Sequence, residues 1–234
     1  MKRPLLTIAA ILLLDQVSKF LVKLNMCLNE SFEVLGDFFH IHFIENPGMA
    51  FGLEFGGAYG KLFLNLFRIV AVIVLFVILK RAVLKGAYKG FIISLSLIIA
   101  GAMGNIFDSA FYGMIFSKSP PIFGHEEVCQ GSATFLPAQG YAGFMEGKVV
   151  DMLHFPMIEG RFPEWFPFWA GEKFLFFRPV FNIADSSITI GIFWIILHQR
   201  KYLGDKGRTR TPEEDEEPPE EPSEHDPIQR DHQH

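Results

Sequence analysis

Four long apolar runs constrain this chain more than any other feature of its sequence. Each run is long enough to cross the hydrocarbon core of a membrane, which takes about 20 residues in a helix. Half of the 234 residues are hydrophobic, and the chain holds 26 Phe, which is too apolar for an ordinary soluble domain. The runs predict a mainly α membrane protein, a four-transmembrane-helix bundle with spans at about 4–24, 62–84, 90–112 and 177–198.

Basic residues near the span ends predict the orientation, because Lys and Arg concentrate on the cytoplasmic side. They precede the first run, fill the link between the second and third, and follow the fourth. Both termini are therefore expected inside (N-in/C-in), with extracytoplasmic loops at about 25–61 and 113–176. Residues 1–204 are expected to form one membrane domain, and the acidic, Pro-rich segment 205–234 a disordered cytoplasmic tail.

The two external loops carry patterns typical of strands. "FHIHFIE" (39–45) alternates large apolar and polar residues, and "NPGMAFG" (46–52) supplies turn-forming residues. A strand inside "GKVVDMLHF" (147–155) would pair with the first. The loops therefore predict a small extracytoplasmic antiparallel β-sheet cradle over the membrane surface.

The chain has two cysteines, Cys27 and Cys129. Two are too few for a metal cluster or a disulfide framework. They would form one disulfide if both faced an oxidising compartment, but two unrelated thiols is the favoured prediction.

Three carboxylates interrupt the apolar runs, and each costs about 2.5–3.5 kcal/mol near the centre of a spanning helix. At about 1.5 Å per residue, Asp15 lies near mid-membrane and Asp108 close to the external end of the third run. Asp185 lies about 12 Å below the external end of the fourth. Two of the three thus lie in the outer half of the membrane.

An amide accompanies two of these acids at a spacing of three residues: Asn105 with Asp108, and Asn182 with Asp185. Residues three apart share a helix face, and an amide can hydrogen-bond a carboxylate while it binds another group. Each pair alone could be a structural polar contact between helices. Two pairs at similar depth favour a functional site. Asp151, surrounded by apolar residues in the second loop, is expected at the membrane surface.

Other chemistries have weaker sequence support. Ser18 and Lys19 are neighbours and do not face each other in a helix, whereas Asp15 and Lys19 at i, i+4 are predicted to form an ion pair. His40 and His42 share a strand face but lack a third ligand at suitable spacing. No metal or other cofactor is expected, and neither a phosphate-binding glycine motif nor a nucleic-acid-binding patch is recognisable.

Five motifs in this order resemble the family of lipoprotein signal peptidase (signal peptidase II), an intramembrane aspartic peptidase. They are "LDQVSK" (14–19), "ENPGMAFG" (45–52), "GNIFD" (104–108), "GKVVDMLHF" (147–155) and "FNIADSSITIG" (181–191). The resemblance implies that Asp151 and Asp185 are the catalytic dyad. It also implies a set of substrate-binding and supporting residues: Asn46, Gly48, Asn105, Asp108, Asn182, Asp15 and Lys19.

The sequence departs from the family pattern at two places. Ser109 stands where the family commonly has Arg after the third-helix Asp, so that role would fall to Arg178 or to no residue. A segment of roughly 114–146, which contains Cys129, is inserted before Asp151, and its role is not readable from the sequence.

The resemblance implies an aspartic endopeptidase that removes the signal peptide of a prolipoprotein just before a diacylglyceryl-modified cysteine. The chain is expected in a bacterial inner membrane, in contact with membrane lipid, with its site near the extracytoplasmic face, and a monomer is expected although the sequence does not give the oligomeric state. The alternative is a proton-coupled membrane transporter in which the intramembrane carboxylates form a relay, although the sequence shows no internal repeat. A non-catalytic membrane adapter is a third hypothesis.

Overall fold

The fold is known from a computed structural model, which describes residues 1–47, 57–122, 129, 131–156, 158–161, 163, 171, 173–176 and 180–199. Within these residues the structure is mostly helical with a small antiparallel sheet. Gly48, Arg178 and the segment 205–234, about which the sequence made predictions, lie outside the described residues.

Helices occupy the first three apolar runs. These are α1 (Lys2–Asn25), α2 (Gly57–Leu84) and α3 (Lys89–Phe107), and α3 continues through a π-helical turn (Asp108–Tyr112) into the short α4 (Gly113–Ile115). Three helical stretches are long and apolar enough to cross a membrane: Lys2–Asn25, Gly60–Leu84 and Lys89–Ile115. Large apolar side chains such as Leu6, Phe63 and Phe67 remain exposed on their outer faces, as expected of helices that face lipid.

The last described helix, α5, covers Ile183–Leu197. The fourth helix is predicted to cover about 177–198, but it starts later in the structure, because Val180 and Phe181 form strand β6. The helix begins at Ile183 because the Asn182 side chain accepts a hydrogen bond from the Asp185 amide and caps the first turn. With 15 residues, α5 is about 22 Å long.

Close backbone contact joins α5 to α3. A Cβ atom added to Gly101 on α3 would lie 2.2 Å from the Ala184 carbonyl oxygen, and one added to Gly191 on α5 would lie 2.7 Å from the Ser94 carbonyl oxygen. Glycine is therefore required at both positions for the two helices to approach this closely. An apolar cluster built around Ile8, Leu79 and Ile99 holds α1, α2 and α3 together.

A four-stranded antiparallel sheet caps one end of the helices. Its strand order is β1 (Ser31–Leu35), β2 (Phe39–Asn46), β3 (Val149–His154) and β6. The predicted strands at 39–45 and within 147–155 are β2 and β3, which pair with Asn46 opposite Val149 and Ile44 opposite Asp151. Strands β4 (Ile158–Arg161) and β5 (Lys173–Phe176) form a separate two-stranded antiparallel sheet. Buried side chains from α1, β2, β3, the π-helical turn and the residues just after α1 and α4 form the core beneath the sheet: Val22, Met26, Phe43, Tyr112, Phe116, Val150 and Met152.

Cys27 and Cys129 form a disulfide, with their Cα atoms 5.7 Å apart. The prediction of two unrelated thiols is therefore wrong. The insertion that follows α4 returns across the end of α1, where Leu28 donates to the Pro120 carbonyl oxygen (2.8 Å) and accepts from the Ile122 amide (3.2 Å). This backbone pairing brings the two cysteines together, and it could not be read from their spacing.

Candidate active site

Two carboxylates from different elements lie beneath the sheet within one amide network. Asp151 is buried on β3, and Asp185 is half-buried in the first turn of α5. The Asn182 amide donates to Asp151 Oδ1 (2.8 Å), and the Asn105 amide donates to Asp185 Oδ1 (2.8 Å). The Asn46 amide reaches Asp151 Oδ2 at 3.3 Å. The structure thus places Asp151, Asp185, Asn46, Asn105 and Asn182 in one cluster.

Asn182 links the two halves of this network. Its buried amide nitrogen lies within hydrogen-bond distance of Asp151 Oδ1, the Val150 carbonyl oxygen (3.3 Å) and Asn105 Oδ1 (3.2 Å). Its oxygen accepts from the Asp185 amide at 2.9 Å, and its own backbone amide reaches Asp185 Oδ2 at 3.4 Å, which completes a capping box. One side chain therefore fixes the start of α5 and the position of β3 at once.

A buried ion cluster supports this network from α1. Lys19 Nζ lies 2.8 Å from Asp15 Oδ2, 2.7 Å from Asp108 Oδ2 and 3.0 Å from Asn105 Oδ1. The predicted Asp15–Lys19 ion pair is thus present. The Gln16 amide donates to Asp15 (3.1 Å) and to Asp108 (2.9 Å). Each acid also receives a backbone amide, from Ala184 at Asp15 Oδ1 (2.9 Å) and from Val150 at Asp108 Oδ2 (3.4 Å).

These contacts give different roles to the members of the two Asn–Asp pairs seen in the sequence. Asp108, like Asp15, is paired with Lys19, so both acids act as structural polar contacts between helices. Asn105 instead joins Lys19 to Asp185. Asp185 is two residues into α5, about 3 Å from its start, and not about 12 Å below a helix end. Asn182 caps the helix and does not lie on its face.

The environment of Asp151 favours the protonated form of its carboxyl. Burial, and then the negative charge of Asp185, raise the pKa of the Asp151 carboxyl to about 7. Asp185 instead lies half-buried in the first turn of α5 and accepts a hydrogen bond from the Asn105 amide. Two carboxyls with such different surroundings can serve as an acid and a base at the same pH.

At position 109, where the family resemblance leads one to expect Arg, the buried Ser109 hydroxyl donates to the Asn105 carbonyl oxygen (3.0 Å). This hydrogen bond lies at the π-helical turn that begins with Asp108. Such turns occur often at functional sites, and here the turn lies beside the Asn105 and Asp108 side chains.

Sequence reasoning missed a second buried cation. Lys23, one turn after Lys19 on α1, forms an ion pair with Glu45 on β2, and both bind the Ser119 hydroxyl. Burial is the largest single influence and would raise the pKa of Glu45, but the charges of Lys23 and Lys148 and the hydrogen bonds from Lys23 and Ser119 together hold that pKa below its usual value. The i, i+4 spacing of Lys19 and Lys23 in an apolar run was the available signal.

Comparison with known proteins identifies the family of this chain. The family model described as signal peptidase (SPase) II matches residues 7–200. The lipoprotein signal peptidase of Porphyromonas gingivalis is 50% identical over 191 residues, which cover 81% of this chain and 79% of that protein. The lipoprotein signal peptidase of Amoebophilus asiaticus is 34% identical over 193 residues, covering 81% of this chain and 74% of that protein.

A solved structure described as a bacterial membrane enzyme shares the fold, with a TM-score of 0.56 and 23% identity, and covers 90% of this chain and 95% of its own. The family match spans most of the residues that build the fold and the amide network described above. On these grounds the chain belongs to the signal peptidase II family, a family of proteases.

Proposed function

We propose that this chain is an aspartic endopeptidase that cleaves prolipoproteins just before the lipid-modified cysteine, with Asp151 and Asp185 as its dyad. Membership of the signal peptidase II family supports the removal of signal peptides from prolipoproteins. The finer assignment rests on one observation: carboxyls from β3 and α5 are held in a single amide network by Asn105 and Asn182.

The two carboxyls take opposite roles in this proposal. Asp151, whose pKa is raised to about 7 by burial and by the charge of Asp185, carries the proton. Asp185 accepts hydrogen bonds from the Asn105 side chain and the Asn182 backbone amide, and it is the ionised partner.

The reaction follows from these protonation states. Asp185 takes a proton from a water molecule, whose oxygen adds to the scissile carbonyl carbon, while Asp151 gives its proton to the carbonyl oxygen. The resulting gem-diol collapses as Asp151 takes back a hydroxyl proton, the C–N bond breaks, and Asp185 gives its proton to the leaving nitrogen. Both carboxyls return to their starting states, and no metal or other cofactor takes part.

The supporting residues have structural tasks. Lys19 with Asp15 and Asp108 anchors β3 and α5 from below. Asn46 orients Asp151 from β2, and the segment that follows it, with Gly48, is assigned to substrate binding by the family resemblance.

The proposed setting is a bacterial inner membrane, which the chain crosses as a monomer with both termini and the tail 205–234 in the cytoplasm. The fourth crossing is assigned to α5. The Cys27–Cys129 disulfide supports an extracytoplasmic position for the sheet and the dyad, because disulfides persist in oxidising compartments. The diacylglyceryl chains of the substrate would stay in the lipid beside the apolar outer faces of the helices.

The test compares Asp151→Asn and Asp185→Asn with the matched control Asp37→Asn, an exposed acid beside the sheet. Purified proteins are mixed with a lipidated prolipoprotein, and the rate of signal-peptide release is measured. Each dyad variant should lose at least about 100-fold in rate, because acid–base groups contribute 10²–10⁴-fold, while the control keeps the wild-type rate. A dyad variant that cleaves normally at normal abundance would rule out the assignment.

The comparisons give no support to a transporter. The ion cluster argues against a proton relay as well, because Asp15 and Asp108 are both held by Lys19. The same asparagine variants test the adapter hypothesis. If the chain were an adapter, the wild type would show no cleavage, and the variants would lose assembly.

A further inference from the structure

Helix α2 turns one polar stripe toward the site. The stripe consists of Lys61, Asn65 and Arg68, spaced at i, i+4 and i+7 on one helix face. Lys61 Nζ donates to the Glu146 carbonyl oxygen (2.6 Å), and the buried Asn65 amide donates to the Met145 carbonyl oxygen (3.2 Å). The stripe therefore faces the segment that leads into β3, and Arg68 extends it one turn further along α2.

The Arg68 side chain lies within electrostatic range of the carboxylates. Its charge interacts with Asp185, Asp108 and Asp151. Its Nη1 atom is buried and has no hydrogen-bond partner in the described part of the chain. An ionisable side chain inside a spanning helix is costly and usually serves a site.

The nearby carboxylates already have other donors. Asp108 is bound by Lys19, Gln16 and the Val150 amide. Asp185 is bound by two asparagines, and so is Asp151. A buried donor without an acceptor costs about 1–3 kcal/mol. A ligand that brings a hydrogen-bond acceptor would remove that cost. Arg68 Nη1 is therefore available to donate a hydrogen bond to a substrate.

We propose that Arg68 is a substrate-binding residue whose Nη1 atom donates a hydrogen bond to a main-chain carbonyl oxygen of the substrate beside the scissile bond. This inference rests on the proposed peptidase function. A carbonyl oxygen is an acceptor that every peptide brings, and it is neutral, so the guanidinium keeps its charge available to the ionised dyad partner. The contact holds the peptide over Asp151 and Asp185.

The test uses Arg68→Gln and Arg68→Lys, with Arg81→Gln as a matched control, since Arg81 is an exposed arginine on the same helix. KM and kcat are measured for cleavage of a lipidated prolipoprotein peptide, and its Kd is measured in an Asp185→Asn background to separate binding from cleavage. Arg68→Gln should raise KM and Kd by about tenfold, the effect of about 1.4 kcal/mol. Arg68→Lys should recover part of this loss, and Arg81→Gln should match the wild type.

The possible failures are distinguishable. If the wild type does not cleave the peptide, the proposed function fails. If the wild type cleaves and Arg68→Gln leaves KM and Kd unchanged, or lowers only kcat, the binding role of Arg68 is overturned. If Arg68→Gln does not fold, as judged by its melting temperature, Arg68→Lys decides: a raised KM and Kd support the inference, and wild-type values overturn it.

Discussion

Replacing Lys19 with methionine removes the cation from a site that keeps two buried carboxylates. Lys19, Asp15 and Asp108 are each at most 1% exposed, and Lys19 Nζ lies 2.8 and 2.7 Å from the two acids. Methionine fills a similar volume, so the main loss is electrostatic. Gln16 remains as a donor to both acids, but a neutral amide cannot compensate two buried negative charges.

The size of the effect follows from this arrangement. Each ion pair is worth about 4 kcal/mol at a charge separation of about 4 Å and an effective dielectric of about 20. Desolvation offsets much of the attraction, and removing one partner of a buried pair typically costs about 3–5 kcal/mol. We therefore expect Lys19→Met to lower the free energy of unfolding by about 3–5 kcal/mol. The triple variant Asp15→Asn, Lys19→Met, Asp108→Asn should recover most of this loss, because it leaves no charge in the cluster.

The assay is an SDS titration in mixed micelles, followed by circular dichroism, on the wild type, both variants and Lys80→Met. Lys80 is exposed on α2, so its replacement controls for the loss of one lysine. A Lys19→Met loss below about 1 kcal/mol, the range of exposed pairs, would refute the reasoning. So would a triple variant as unstable as Lys19→Met, because the cost would then not come from unpaired charge.

Three further predictions concern the sheet, the disulfide and the helix contact. Because the pKa of Asp151 is raised to about 7, the folded chain holds a proton that the unfolded chain releases above about pH 4. Stability should therefore fall as the pH rises from about 4 to about 7, and it should fall less in Asp151→Asn, in the same titration at several pH values. Serine at both Cys27 and Cys129, which are 102 residues apart, should lower the free energy of unfolding by about 2–4 kcal/mol; an equal melting temperature for oxidised and reduced wild type would contradict this. Gly101→Ala should cost about 1–3 kcal/mol in the same titration, because its Cβ would lie 2.2 Å from the Ala184 carbonyl oxygen; a wild-type value would show that α3 and α5 can separate without cost.

The elements that the sequence predicts well are those with one dominant physical cause. Lipid requires a continuous apolar surface, so the runs that became α1, α2 and α3 stand out. Alternation in "FHIHFIE" predicts a strand, and β2 covers Phe39–Asn46. The Asp15–Lys19 pair follows from helical spacing alone, because both residues lie on one turn of one helix.

The start of α5 could not be predicted in the same way. The segment before Asn182 is apolar, and a short apolar run suits a strand as well as a helix. Its pairing with β3, in which Leu153 lies opposite Phe181, decides for a strand, and this partner is distant in the sequence. The Cys27–Cys129 disulfide likewise depends on the path of the insertion.

The neighbour that the inward face of α2 contacts could not be predicted from the sequence either. The spacing of Lys61, Asn65 and Arg68 is visible in "KLFLNLFR", but periodicity does not say which neighbour a helix face meets. Only the contacts with Met145 and Glu146 show that this face is directed toward β3.

The capping of α5 by distant residues has a consequence for biosynthesis. The groups that hold residues 182–185 come from α1, α3 and β3, through Asp15, Asn105 and Asp151. All of them are synthesised before α5, the last described helix, which carries Asp185 of the proposed dyad. A nascent chain that ends before Asn182 therefore contains the receiving half of the site but lacks a carboxyl that the proposed mechanism needs. Under the proposed mechanism, activity therefore requires that α5 leaves the ribosome and docks.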